Sequence, residues 1–265
     1  MPVRATVNYT APMDVRPRYH ANDASRDVLI LEPREVEITD MRGQVTDLDT
    51  DGFVLVDHKS AVTDFGDREQ VAALHQSEIA DLIQRVSGAD LVICGNPGLL
   101  RFSEKSGKAG SLNNSKPARF IHVDINDDTA AAFAQRGAPE GKTVRRFAHY
   151  NVWRAVSGAP QDVPLTVCDA RSIAQGDLVD ADAVFDEPGK PEWSFVGWVV
   201  NYNPDHRWRY FRDMEVDEAL IFKTNDSDPA RAHCVPHSAF NDPTCPDDAP
   251  SRTSIEMRAT AYWFA

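Results

Sequence analysis

Apolar runs of strand length, separated by polar and turn residues, mark most of this chain, and the clearest departure is a helical stretch. Between residues 67 and 87, Val71, Leu74, Ile79, Leu82, Ile83 and Val86 recur at the spacing of one helix face, and Gly88 follows as a stop. Upstream, the apolar runs Val28–Leu31 and Gly52–Val56, the second following the turn-like Asp49–Gly52, predict a hairpin or two edge strands. Asp90–Cys94 predicts a short strand, and the Ser-, Gly-, Lys- and Asn-rich residues 103–116 predict a mobile loop. From residue 118 the segments are short and β-like: Ala118–Val123, Arg146–Val156, Pro164–Asp169, Trp193–Tyr202, His206–Phe211, Ala219–Lys223 and Ser254–Trp263. One helix, about 128–136, interrupts them. Strands of this length separated by Gly- and Pro-bearing turns predict a mainly β fold, a double-stranded β-helix (jelly roll) with flanking α-helices. The expected organisation is a single domain over 1–265. Residues 1–117 form an N-terminal elaboration carrying helix 67–87, and 118–265 form the jelly-roll core.

Composition narrows the class. The chain has 265 residues, 42% of them hydrophobic, enough for one sizeable core. A net charge of −13 with no Lys/Arg-rich block disfavours nucleic acid and anionic membranes as partners. Cys94, Cys168, Cys234 and Cys245 form neither a CxxC pair nor a zinc-ribbon spacing, so reduced thiols are expected. The N-terminus lacks an apolar signal segment, and no run approaches a membrane span. A cytoplasmic protein acting on a small molecule is expected, and a homodimer is compatible with the sequence.

The sharpest chemical feature is Arg119-Phe-Ile-His122-Val-Asp124. Residues two apart on a strand face the same side, so His122 and Asp124 can point at one ion. A site of two histidines and one carboxylate suits non-haem iron(II) and leaves coordination positions open. His-x-Asp alone is a common pair and needs a third ligand from elsewhere. His237, in Cys234-Val-Pro-His237-Ser-Ala-Phe240, stands fifteen residues before Arg252-Thr-Ser254. Arg252 and Ser254 share a strand face and can grip a carboxylate, such as the distal end of 2-oxoglutarate. His206 and His233 are rival third ligands; His20, His58 and His75 read as structural or exposed, and His149 as packed on a strand.

At this point the chain resembles the hydroxylase/desaturase family of iron(II)/2-oxoglutarate oxygenases. The likeness is carried by His122-Val-Asp124, Tyr150-Asn-Val-Trp-Arg154, Pro164-Leu-Thr-Val-Cys-Asp169 with Arg171-Ser172, Asp177-Leu-Val179 and His206-Arg-Trp-Arg-Tyr-Phe211. It continues through Asp217-Glu-Ala-Leu-Ile-Phe-Lys223, Asp226-Ser227, Pro236-His-Ser-Ala-Phe240 and Arg252-Thr-Ser-Ile-Glu-Met-Arg258. The match spans roughly 118–264, less clearly the Asn8-Tyr9 start. Ala155 stands where the family usually has Pro, and the acidic loop Asn241–Ser251 is local to this chain.

The resemblance implies a jelly roll with His122, Asp124 and His237 as catalytic metal ligands. It implies iron(II), the cosubstrate 2-oxoglutarate and dioxygen, and an enzyme that hydroxylates, desaturates or cyclises a small natural product or amino-acid derivative. Arg252 and Ser254 are the expected cosubstrate residues, with Arg258 on the same face as an alternative grip or a partner of Glu256. Asn151, Trp153, Arg154 and His206 are candidate substrate contacts; Asn151 and Trp153 share a strand face, and Arg154 points the other way. Two other classes remain open: a cupin-like metal dioxygenase without 2-oxoglutarate, which has no need of Arg252-x-Ser254, and a non-enzymatic binding jelly roll with a closed metal site.

Overall fold

The computed structural model describes residues 2–95 and 97–265. Two antiparallel-rich sheets curl around a shared interior, with helices outside, as a double-stranded β-helix. One sheet has nine strands in the order Val3–Thr10, Leu31–Asp40, Trp208–Tyr210, Leu165–Cys168, His237–Ala239, His122–Val123, Trp193–Val200, Leu178–Phe185 and Arg18–His20. The other runs Phe53–Asp57, Glu218–Asp226, Val144–Ala155, Thr253–Phe264 and Leu91–Cys94, with Leu99–Phe102 also on Thr253–Phe264.

The two-residue alternation of a strand explains how each sheet is buried on two sides. Along Val144–Ala155, Tyr150 and Val152 pack with Ile79, Leu82 and Ile83 of helix Gln76–Ser87. Trp153 instead faces the interior, with Phe53, Phe222, Val167 and Val235 from both sheets. The predicted helix over 67–87 is continuous in sequence but changes pitch: Arg68–Gln70 is α, Val71–His75 is π and Gln76–Ser87 is α. Asp67 caps its start by accepting from the Glu69 and Gln70 amides, and Gly88 at φ +67° ends it in the left-handed conformation open to glycine.

Three expectations change. The segments expected as a hairpin or two edge strands form no hairpin: Phe53–Asp57 is an edge strand on Glu218–Asp226, while Leu31–Asp40 lies inside its sheet, between Val3–Thr10 and Trp208–Tyr210. The turn before Phe53–Asp57 closes on itself, with Asp47 accepting the Asp49 and Thr50 amides. The residues before 118 contribute Val3–Thr10, Arg18–His20 and Leu31–Asp40 to the same nine-stranded sheet that carries the jelly-roll strands. Finally, the expected strand Ala118–Val123 shrinks to His122–Val123, and residues 237–239, read only as a ligand position, form a strand.

Candidate metal centre

The short strands His122–Val123 and His237–Ala239 lie side by side, with His122 directly opposite His237 in register. Opposed residues on neighbouring strands put their side chains on one face, and the two imidazole centroids are 4.3 Å apart. Asp124 follows two residues after His122, on the same face. The ligand atoms of His122, Asp124 and His237 all lie within 4.8 Å of one another, and among the described residues no second cluster of His, Cys, Asp or Glu does so. Asn126 caps helix Asp127–Gly137 by accepting the Thr129 amide at 2.9 Å, which fixes the chain where it leaves Asp124.

Each ring is oriented from behind. His122 Nδ1 donates to the Phe120 carbonyl at 3.1 Å, and His237 Nδ1 to the Val235 carbonyl at 3.2 Å. Both Nε2 atoms therefore carry the lone pair and face the third ligand, the tautomer a metal takes. Burial, aided by the neighbouring His237, pushes the His122 imidazole down to about 3, and burial also lowers His237. Burial works against the Asp124 carboxylate, but Arg258 above all, then His237 and His122, hold it down at about 2. Arg258 donates to one Asp124 oxygen at 2.7 Å and Asn151 to the other at 3.2 Å. Two neutral imidazoles and one ionised carboxylate form a donor set that fits a divalent ion of borderline softness, iron(II) included.

A narrow cleft leads from His122 and His237 past Trp153 to Arg252. Arg252 is buried, donates from Nε to the Val163 carbonyl at 2.9 Å and from Nη1 to Ser254 Oγ, and no carboxylate pairs with it among the described residues. Burial and the nearby Arg119 and Arg101 cations bring its pKa down to about 10. A buried guanidinium without a counter-ion is costly until an anion arrives.

Arg258 does not join Arg252: it is held by Asp124 and, at 3.3 Å, by Glu256. Asn151 and Trp153 lie at the site, Asn151 on Asp124 and Trp153 on the cleft wall. Arg154 does not, because strand alternation turns it outward, where it binds the carbonyls of His58 and Val216 at 2.8 and 2.7 Å. His206 also lies elsewhere, between Tyr9 Oη and Asp177, each at 3.0 Å. His233, the rival ligand, sits 2.9 Å from Asp127. Sequence reasoning passed over Arg101, which pairs with Glu256 at 2.8 Å beside the cleft, and Tyr19, whose ring lies 6.5 Å from His122. Nothing in their spacing marks them; only the closure of both sheets brings them there.

A cavity of about 460 Å³ opens over His122 and Asp124, and a second of about 650 Å³, walled by Phe133, Phe185, Trp193 and Phe195, meets it at Asp124 and Arg258. No helix among the described residues is long and apolar enough to cross a membrane.

Comparison with known proteins places this geometry in a family. A family profile described as an oxidoreductase/YMDC permease-like domain matches residues 7–262. The alpha-ketoglutarate-dependent dioxygenase phiK of a fungal species is 31% identical, with 97% of this chain and 95% of that protein covered. The hydroxylase/desaturase CTB9 of Cercospora beticola is 33% identical, covering 88% and 77%. A solved structure of the iron and alpha-ketoglutarate-dependent endoperoxidase NvfI superposes with a TM-score of 0.84 at 25% identity, over 99% of this chain and 98% of that one. The chain belongs to the hydroxylase/desaturase family of iron(II)/2-oxoglutarate-dependent oxygenases.

Proposed function

We propose that His122, Asp124 and His237 hold iron(II), that Arg252 and Ser254 bind the distal carboxylate of 2-oxoglutarate, and that the enzyme hydroxylates, desaturates or cyclises a small natural-product or amino-acid-derived substrate. The observation that carries the reading is Arg252: a buried cation with no carboxylate in direct contact, lining a cleft that begins at the two histidines. A dicarboxylate spanning that cleft neutralises the guanidinium at one end and leaves its oxo-acid end beside His122 and His237. When bound, iron(II), 2-oxoglutarate and dioxygen supply the oxidative decarboxylation chemistry that breaks an unactivated C–H bond. The residues themselves hold, orient and exclude water. Phe120 and Val235 carbonyls keep both imidazoles in the ligating tautomer, Arg258 and Asn151 fix the Asp124 carboxylate, and Phe222, 4.6 Å from the His237 ring, shields the back of the site. Four unpaired cysteines suit a reducing, cytoplasmic setting.

The test is anaerobic titration with iron(II) and 2-oxoglutarate, following the visible metal-to-ligand charge-transfer band. Wild type develops the band, and His122→Ala abolishes it. In Arg252→Met, iron is retained while 2-oxoglutarate binds between about ten- and a hundredfold more weakly, the loss of one hydrogen-bonded charge contact. A wild type without the band overturns the reading, and an Arg252→Met enzyme with unchanged cosubstrate affinity removes Arg252 from the carboxylate grip.

A further inference from the structure

The edge strand Arg18–His20 carries polar chemistry into the cavity above the metal ligands. His20 and Asp27 both line that cavity, together with His122 and Asp124. One Asp27 carboxylate oxygen accepts the His20 backbone amide at 2.7 Å and the His20 ring Nδ1 at 3.2 Å. A carboxylate only accepts, so Nδ1 bears a proton, and in that tautomer Nε2 carries the lone pair. No protein group takes Nε2 among the described residues, although the His20 side chain is 3% exposed.

The pair is held on a rigid base. Arg18–His20 pairs in parallel with Asp182–Val184, and the Ala21 amide donates to the Val184 carbonyl at 2.9 Å. Asn22, next in the chain, ties the rim together: its amide donates to Asp186 at 2.9 Å, its side chain donates to Asn113 at 2.9 Å, and it accepts the Asn114 amide at 2.7 Å. Three of the other charged groups at this cavity, all arginines, are already matched, while Lys116 also lines it. Arg119 pairs with Glu104, Arg101 with Glu256, and Arg258 with Asp124. The walls beside the dyad are apolar, formed by Phe120, Val184, Phe185 and Phe195.

An oriented acceptor beside apolar walls selects for a donor on an otherwise hydrophobic molecule. We propose that His20, positioned by Asp27, is a substrate-recognition residue that accepts a hydrogen bond from a hydroxyl group, so that the substrate class is an apolar ring compound bearing at least one hydroxyl. This rests on reading the cavity above His122 and Asp124 as the substrate chamber.

The test uses 2-naphthol and its donor-free isostere 2-methoxynaphthalene, titrated calorimetrically into the metal-free full-length chain. Because no metal is present, a failure here is separate from a failure to take up iron(II). In wild type 2-naphthol binds about tenfold more tightly, the worth of one buried hydrogen bond. In His20→Phe the two probes bind equally, while the iron(II)/2-oxoglutarate band of that variant persists and shows an intact fold. A long-range ¹H–¹⁵N spectrum of wild type finds His20 as the Nδ1–H tautomer. In Asp27→Asn, whose amide donates as well as accepts, the tautomer is no longer fixed and most of the preference disappears. No binding of 2-naphthol, equal affinities in wild type, or a preference that survives in His20→Phe overturns the proposal.

Discussion

Replacing Gly197 by alanine drives a methyl group into the backbone that carries the metal ligands. Gly197 lies on Trp193–Val200, the strand beside His122–Val123, and the next residue, Trp198, is the register partner of Val123. A Cβ there meets the Asp124 carbonyl oxygen at 2.8 Å, the Val123 carbonyl oxygen at 2.9 Å and the Asp124 carbonyl carbon at 3.2 Å. All three are backbone atoms, so no rotamer change relieves the contact. Restoring ordinary contact, 3.4 Å against 2.8 Å, moves the strand carrying Asp124 by about 0.6 Å. Overpacking of this kind costs about 1–3 kcal/mol, offset only in part by the ~0.4–1 kcal/mol that alanine gains by stiffening the unfolded chain. The displacement also exceeds the ~0.5 Å tolerance of a preorganised constellation, so iron(II) affinity falls about tenfold or more. Gly158→Ala is the control, because nothing lies within 4 Å of its Cβ. Urea unfolding of the metal-free chain reads the first effect, and anaerobic iron(II) titration with 2-oxoglutarate reads the second. A Gly197→Ala protein matching Gly158→Ala in both would refute the packing argument.

Other residues separate chemistry from scaffold. Arg154→Met leaves the His58 and Val216 carbonyls unpartnered, so unfolding free energy drops by about 2–3 kcal/mol while the charge-transfer titration is unchanged; weakened iron or cosubstrate binding with normal stability would reverse that assignment. His206→Phe likewise keeps iron(II) and 2-oxoglutarate affinities, since the ring sits between Tyr9 and Asp177. His149 gives the pH dependence. Burial lowers it from 6.5 to about 4 in the folded chain, so between those values the unfolded chain binds the extra proton and stability falls as pH falls. The shift costs the fold on the order of 3 kcal/mol below pH 4 and nothing above pH 6.5. Chemical denaturation of wild type and His149→Gln at pH 7 and pH 4 measures it, and parallel curves would rule it out.

The pairing of His122 with Asp124 was legible because strand geometry makes a local signal: two residues of alternation suffice to align them. His237 was reached through its distance to Arg252, and the register that sets it opposite His122 is a long-range fact that no local pattern carries. Both principal helices and most strands after residue 118 were legible, since Val71–Val86 and Trp193–Val200 repeat their periods over enough residues. Val3–Thr10, Leu31–Asp40 and Leu178–Phe185 were not read as strands despite their length, nor were the short Arg18–His20, Leu99–Phe102 and His237–Ala239, because their places are set by long-range pairing. The role of Arg258 was open for a different reason. Its face of the strand was known, but whether it met the cosubstrate or Asp124 depended on the opposite sheet.

The opposed histidines have a consequence for motion. They join strands of two and three residues, which offer few ladder hydrogen bonds to hold that part of the sheet. Such a seam belongs to the low end of local opening free energies, and its amides exchange with solvent sooner than those of Val144–Ala155. Iron(II) bound across both strands opposes that opening, by about 2.7 kcal/mol at a hundredfold excess over Kd. The metal is then a stitch as well as a reagent: amide exchange at Val123 and Ser238 slows on loading, and the apoprotein breathes first where its chemistry is done.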